Sequence, residues 1–180
     1  ADDVNGSWQV LVNRNPWSYE DKLSPLTVGP DDDFGKDMVI SKDQRTLLIS
    51  STADNGHVYI YGKDDFESWN GIETLQPGDA YFGEFGSSIS ISDADKVAIG
   101  APGTASSGAV YLVSLAASLS DFTQVLYDPT YSANDRFGHS VSISNDGRWI
   151  YVSAKNAGSV DAYQLVEVDT QTVTHVAVPM

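Results

Sequence analysis

One eight-residue phrase occurs three times along the chain, at spacings of 51 and 52 residues: FGKDMVIS from Phe34, FGSSISIS from Phe85 and FGHSVSIS from Phe137. Behind each copy a polar turn leads to a short apolar run and a small-residue patch. These are Leu48-Ile49-Ser50-Ser51, Ala98-Ile99-Gly100-Ala101 and Tyr151-Val152-Ser153-Ala154. A second phrase follows in each unit, GHVYIY from Gly56, GAVYLV from Gly108 and GSVDAY from Gly158, and a further copy, GSWQVL from Gly6, has no Phe-Gly pair before it. A repeat of about fifty residues restricts the chain to a propeller, solenoid or array of units that bury their faces against one another.

Each unit reads as strands. After the Phe-Gly pair the apolar residues fall at every second position, Met38 and Ile40, Ile89 and Ile91, Val141 and Ile143, with serines or charged residues mostly between them. Period two means a strand with one face on a packed layer. The pattern places first strands near 34–41, 85–92 and 137–144, each closed by a turn-rich segment, 42–45, 93–96 and 145–148. The return strand comes second and the Gly-led phrase third, with Val58 and Ile60, Val110 and Leu112, or Val160 and Ala162 on one face. A fourth strand runs from an aromatic toward a proline, Trp17 to Pro25, Trp69 to Pro77 and Phe122 to Pro129. Proline suits an outer edge because it has no N–H to give to a ladder. Four strands per thin unit predict an all-β chain, a β-propeller of four-stranded antiparallel blades.

The Phe-Gly start, the Gly100-Ala101-Pro102 patch and the Gly-x-Val-Tyr strand resemble the FG-GAP repeats of integrin-α-like β-propellers, over roughly 6–179. Only the second copy spells Gly-Ala-Pro; the first has Ser50-Ser51-Thr52 and the third Ser153-Ala154-Lys155. In this reading the Phe fills the gap between blades and Gly or Ala lets two backbones approach, so these positions are scaffold. The chain divides as a single repeat domain with a half blade at 6–27 and blades at approximately 34–77, 85–130 and 137–180. Closed propellers have four to eight blades, so about three and a half predict a partial or shared ring: a segment of a longer protein, an array completed by another chain, or a distorted small ring.

Composition narrows the partners. A net charge of −15 and a pI near 4.2, without a basic cluster, argue against binding to a nucleic-acid backbone. No apolar run reaches the length of a membrane span, so membrane insertion is not expected. The absence of cysteine removes disulfides, zinc thiolates and thiol nucleophiles together. Acidic, cysteine-free, Ser- and Thr-rich β repeats suit an extracellular, cell-surface or virus-particle setting.

The resemblance raises calcium as the one cofactor to weigh, because many integrin-like repeats carry Asp-x-Asp-x-Asp-Gly between their first two strands. Such a loop needs several oxygen ligands and a glycine for its turn. Asp93 and Asp95 keep two alternate carboxylates, but Lys96 follows them; Asn145-Asp146-Gly147 reads as a hairpin turn, and Lys42-Asp43-Gln44-Arg45 is a poorer cation site still. No cofactor is therefore expected, with Asp93 and Asp95 as weak metal candidates. The run Asp31-Asp32-Asp33 and Asp135 read as an acidic rim, and Asp64, Asp65 and Glu67 as a polar loop between third and fourth strands. His57, His139 and His175 occupy unlike places in the repeat and form no metal set; His139, whose counterparts are Lys36 and Ser87, reads as a turn or packing residue.

Tyr59, Tyr61, Tyr111 and Tyr163 lie on third strands, where blade packing takes most of them and some must point away from the inward valines. Tyr59 and Tyr111 are the candidates for a binding surface, and Trp8 and Val10 of the opening half blade for assembly. The resulting expectation is a non-catalytic module for adhesion or structural assembly through protein or glycan contacts, or by self-association of terminal blades. The alternative is a carbohydrate-active enzyme or a carbohydrate-binding segment, since some propellers serve that chemistry.

Overall fold

A computed structural model describes residues 22–25, 33–53, 55–77, 83–103, 107–115, 122–132, 134–165 and 174–175. Within them the chain is all β. The first sheet contains β1 (Met38–Ile40), β2 (Thr46–Ser51), β3 (His57–Lys63) and β4 (Trp69–Leu75). The second contains β5 (Ser88–Ile91), β6 (Lys96–Ala101), β7 (Ala109–Ser114) and β8 (Phe122–Leu126), and the third β9 (Phe137–Ile143), β10 (Trp149–Ala154), β11 (Ser159–Gln164) and β12 (Thr174–His175). Each sheet is an antiparallel meander in chain order. These are blades one to three of a β-propeller, and the first strands β1, β5 and β9 neighbour one another along the inside of the stack. The half blade at 6–27 falls outside the described residues except for 22–25.

The first strands are shorter than the sequence pattern suggests in two blades. Phe34-Gly35 and Phe85-Gly86 sit in turns ahead of β1 and β5, with both glycines at positive φ, 90° and 86°. In blade three Phe137 joins the strand, and the register breaks there, between Ser153 and Ala154.

Two apolar layers join the blades. Leu48, Val58, Ile60 and Leu75 of blade one pack on Phe85, Ile89, Val97, Ile99 and Tyr111 of blade two. Ala98, Val110, Leu112 and Leu126 on the other side of blade two pack on Phe137, Val141, Ile143, Ile150, Val152 and Tyr163 of blade three. Each blade thus has a leading face toward its predecessor and a trailing face toward its successor.

This two-sided packing changes the reading of the polar positions. The residues between the apolar ones do not simply face water: Asp37 Oδ2 accepts a hydrogen bond from Ile89 N at 2.6 Å, Ser88 Oγ from Val141 N and Ser90 Oγ from Ile143 N, both at 3.0 Å. They join one first strand to the next. Conversely Met38 and Ile40, expected on a packed layer, are 58% and 46% exposed, because they lie on the leading face of blade one and no described strand precedes β1.

Glycine at the head of the third strand permits this approach. A Cβ on Gly56 would lie 2.0 Å from the Phe85 carbonyl oxygen, and one on Gly108 would lie 1.9 Å from that of Phe137. The Phe-Gly phenylalanines then fill the space beside these contacts, with Phe85 and Phe137 fully buried. Each meets a third-strand tyrosine of its own blade: Phe34 with Tyr59, Phe85 with Tyr111 and Phe137 with Tyr163, at centroid distances of 5.6, 5.3 and 6.0 Å.

Candidate functional site

Because successive strands alternate in direction, the loops between second and third strands emerge at the same end of the sheets as the blade-to-blade crossovers. At that end of blade three the chain gathers a small charged constellation. His139 N–H donates to the Arg136 carbonyl at 3.2 Å, closing the turn that carries Phe137-Gly138. The Arg136 guanidinium crosses to blade two and pairs with Glu84. Lys155 enters from the turn after β10, and Lys36 holds in blade one the position that His139 holds in blade three.

His139 is half-buried, and burial is the main reason its imidazole is held below the usual histidine range. The charges of Lys155 and Arg136 push in the same direction, Lys36 adds a little, and Glu84 opposes them. The shift favours the neutral ring, which can accept a proton; of the cations whose charge acts on it, Lys155 has the larger effect and Arg136 is already paired with Glu84. The sequence assigned His139 to a turn or packing role. Its only local signal is an imidazole where the other repeats carry Lys36 and Ser87.

A second polar cluster lies between blades two and three. Tyr131 Oη contacts Ser159 Oγ at 2.7 Å and donates to Asp161 Oδ2 at 2.5 Å. Tyr163 Oη donates to Asp128 Oδ2 at 3.1 Å, while Asp128 Oδ1 accepts from Thr130 N and Thr130 Oγ1 at 2.8 and 2.6 Å. Burial raises both phenols, helped at Tyr131 by the bond to Asp161 and at Tyr163 by the charge of Asp128. These carboxylates hold the crossover between blades.

The first-to-second turns, weighed above as calcium loops, consume their own acceptors. Asp43 Oδ1 accepts from Ser41 Oγ and Arg45 N, and Asp146 Oδ1 accepts from Ser144 Oγ and Arg148 N, which lowers both carboxyls. Asp93 pairs with Lys42 of blade one at 2.5 Å, and Asp95 closes its turn at φ 56°. Among the described residues no group of three His, Cys, Asp or Glu side chains is arranged to hold a metal ion.

The aromatic candidates are placed elsewhere than a binding surface. Tyr59 is 5% and Tyr111 3% exposed: the side of a third strand away from the valines is the leading face, which is packed as well. Tyr61 and Tyr163 are buried for the same reason. Trp8 and Val10 lie outside the described residues. Among the described residues the exposed aromatics are instead Phe66, Tyr127 and Tyr151. His57 stacks on Tyr59, with a buried Nδ1 that finds no hydrogen-bond partner among the described residues.

No protein-family model and no curated protein matches the sequence. Among solved structures, the fold is similar to that of the periplasmic gluconolactonase PpgL of Pseudomonas aeruginosa, with a TM-score of 0.57 and 19% identity over 79% of this chain and 44% of that one. A protein described as TolB from Agrobacterium tumefaciens aligns with a TM-score of 0.34 and 16% identity over 79% of this chain and 61% of that one, too low to carry an argument. The chain spans less than half the length of the gluconolactonase. The fold is thus that of a β-propeller. The expectation of a non-catalytic adhesion or assembly module is corrected: a structural neighbour, PpgL, is an enzyme named for a sugar lactone, and the carbohydrate-active alternative is the one carried forward.

Proposed function

We propose that the chain is part of a carbohydrate-active β-propeller that opens sugar lactones by hydrolysis, working on the outer side of the cytoplasmic membrane. The observation that carries this reading is His139, half-buried in the turn beside Arg136 and held toward its neutral form by burial and by the charges of Lys155, Arg136 and Lys36. In the reaction, water adds to the lactone carbonyl as the imidazole takes its proton. The negative charge on the former carbonyl oxygen is met by the positive charge of Lys155. The ring C–O bond then breaks, and the imidazolium returns the proton to the departing ring oxygen. The product is the open hydroxy acid, which ionises in solution.

Both the lactone and the compartment are supported by the likeness to a periplasmic gluconolactonase. The Phe-Gly and Gly-Ala-Pro pattern supports counting the blades among FG-GAP-type repeats. The test is the rate of opening of glucono-1,5-lactone by the 180-residue chain, measured above the spontaneous rate, with His139→Gln beside it. The expected loss is about 10²–10⁴-fold with an unchanged melting temperature. Turnover that survives His139→Gln, or no turnover by the parent chain, overturns the proposal.

A further inference from the structure

We infer that the trailing face of blade three is a docking surface for blade one of a second copy of this chain, joined head to tail. The repeat itself shows what such a face receives. On second strands, Leu48 and Ala98 are fully buried against the following blade, and Tyr151 at the same position of β10 is 47% exposed. On third strands, Val58 and Val110 are fully buried, whereas Val160 is 63% exposed. Ser140 and Ser142 repeat the positions of Ser88 and Ser90, whose oxygens receive N–H groups of the next first strand; both are exposed. Gly158 repeats Gly56 and Gly108, which lie against the next Phe carbonyl, and a Cβ there would meet nothing within 4 Å. This face continues the two blade-to-blade interfaces already formed within the chain.

The occupant follows from the same comparison. Both interfaces are filled by a first strand led by a Phe-Gly pair, and of the three such strands β5 and β9 are sealed inside the chain. The leading side of β1 has no strand beside it among the described residues: Met38 and Ile40 are exposed, and a Cβ on Gly35 would meet nothing within 4 Å. Leu23 packs near Tyr59, Tyr61 and Trp69 toward the outer strands of that face, so the contact is left to β1 and the Phe34-Gly35 turn, which would meet β9, β10 and the head of β11, as Gly86 meets Val58 within the chain. Met38 N–H, held by its own Asp37 Oδ1 at 2.9 Å, is the donor that turns to Ser140, and Ile40 N–H the one that meets Ser142.

Charge agrees with this order. The residue before each Phe is Asp33, Glu84 and Arg136 in turn, and Glu84 already pairs with Arg136 across blades two and three. The next residue in the row, supplied by a second copy, is Asp33, an acid placed beside Arg136. A contact between two different faces is heterologous, so it either closes into a ring or extends.

The experiment is sedimentation of the 180-residue chain over rising concentration, with a trailing-face variant, Ser142→Lys with Val160→Lys, and a leading-face variant, Met38→Lys with Ile40→Lys. The parent is expected to associate reversibly, and each variant alone to remain a monomer. An equimolar mixture of the two variants is expected to form a one-to-one dimer and nothing larger, because one intact face of each kind remains. Melting temperatures are expected to match the parent, since all four side chains lie at the surface. Ser140→Arg repeats the trailing block without touching the apolar pair. A parent that stays monomeric, a leading-face variant that still self-associates, or a mixture without dimers overturns the inference.

Discussion

The second strands of blades two and three make the same turn in the same unit, yet β6 is buried on both faces from Val97 to Ala101, whereas β10 is fully buried only at Ile150, Val152 and Ala154. The third strands repeat the contrast, with Val110 inaccessible and Val160 largely in water. Within a repeat, then, position fixes the direction a side chain takes, and a neighbouring blade decides whether that direction is core. Alternation of apolar and polar residues cannot distinguish these cases, because a blade between two others buries both of its faces.

The sharpest way to break this comparison is to place the same charge at both sites. Val110→Asp puts a carboxylate between blades two and three without a partner and is expected to cost about 4 kcal/mol or more, enough to unfold a marginal domain. Val160→Asp is expected to stay within about 0.5 kcal/mol of the parent. Urea unfolding of the two variants gives the difference directly, and equal losses would refute the assignment of the trailing faces.

The glycines give a smaller gap of the same kind. Gly108→Ala combines a positive φ of 104° with a Cβ driven into the Phe137 carbonyl, whereas Gly158→Ala meets only the strain of its φ of 69°. Losses of about 3 kcal/mol for the first and about 1 kcal/mol for the second are expected by the same measurement. Ser90→Ala, which leaves Ile143 N–H without its acceptor, is expected to cost about 1 kcal/mol, and Ser142→Ala close to nothing in the monomer.

Much of the architecture is legible in the sequence because three copies of Phe-Gly, a small patch and a Gly-led strand recur in register. Their alternation sets strand direction, and the turn residues set the hairpins. What the sequence hid depends on neighbours. Met38 and Ile40 look like core and are exposed; Ser88 and Ser90 look solvent-facing and bond the next blade; Tyr59 and Tyr111 look available and are packed on a second buried face. The His139 constellation was hidden for a related reason. Lys36, Arg136 and Lys155 come from different turns, and only the stacking of blades sets their charges against one imidazole.

The least expected change in stability belongs to that imidazole. Its folded-state pKa lies below the ordinary value near 6.5, so the unfolded chain takes up the proton first as pH falls. Stability from the neutral ring is therefore complete above about pH 6.5 and is lost as pH falls through the folded-state pKa. Melting curves across pH 5–7, flatter in His139→Gln than in the parent, are the expected outcome.

The functional reading meets its most direct test in the pH–rate profile of glucono-1,5-lactone opening by the parent chain and by Lys155→Ala. A base held down by burial and nearby cations gives a rate that falls on the acid side, at a pH below the ordinary histidine range. Removing the Lys155 charge is expected to move that acidic limb to higher pH while the fold stays intact. A limb that does not move when Lys155 is removed, or opening no faster than the spontaneous reaction, would contradict a catalytic role for His139.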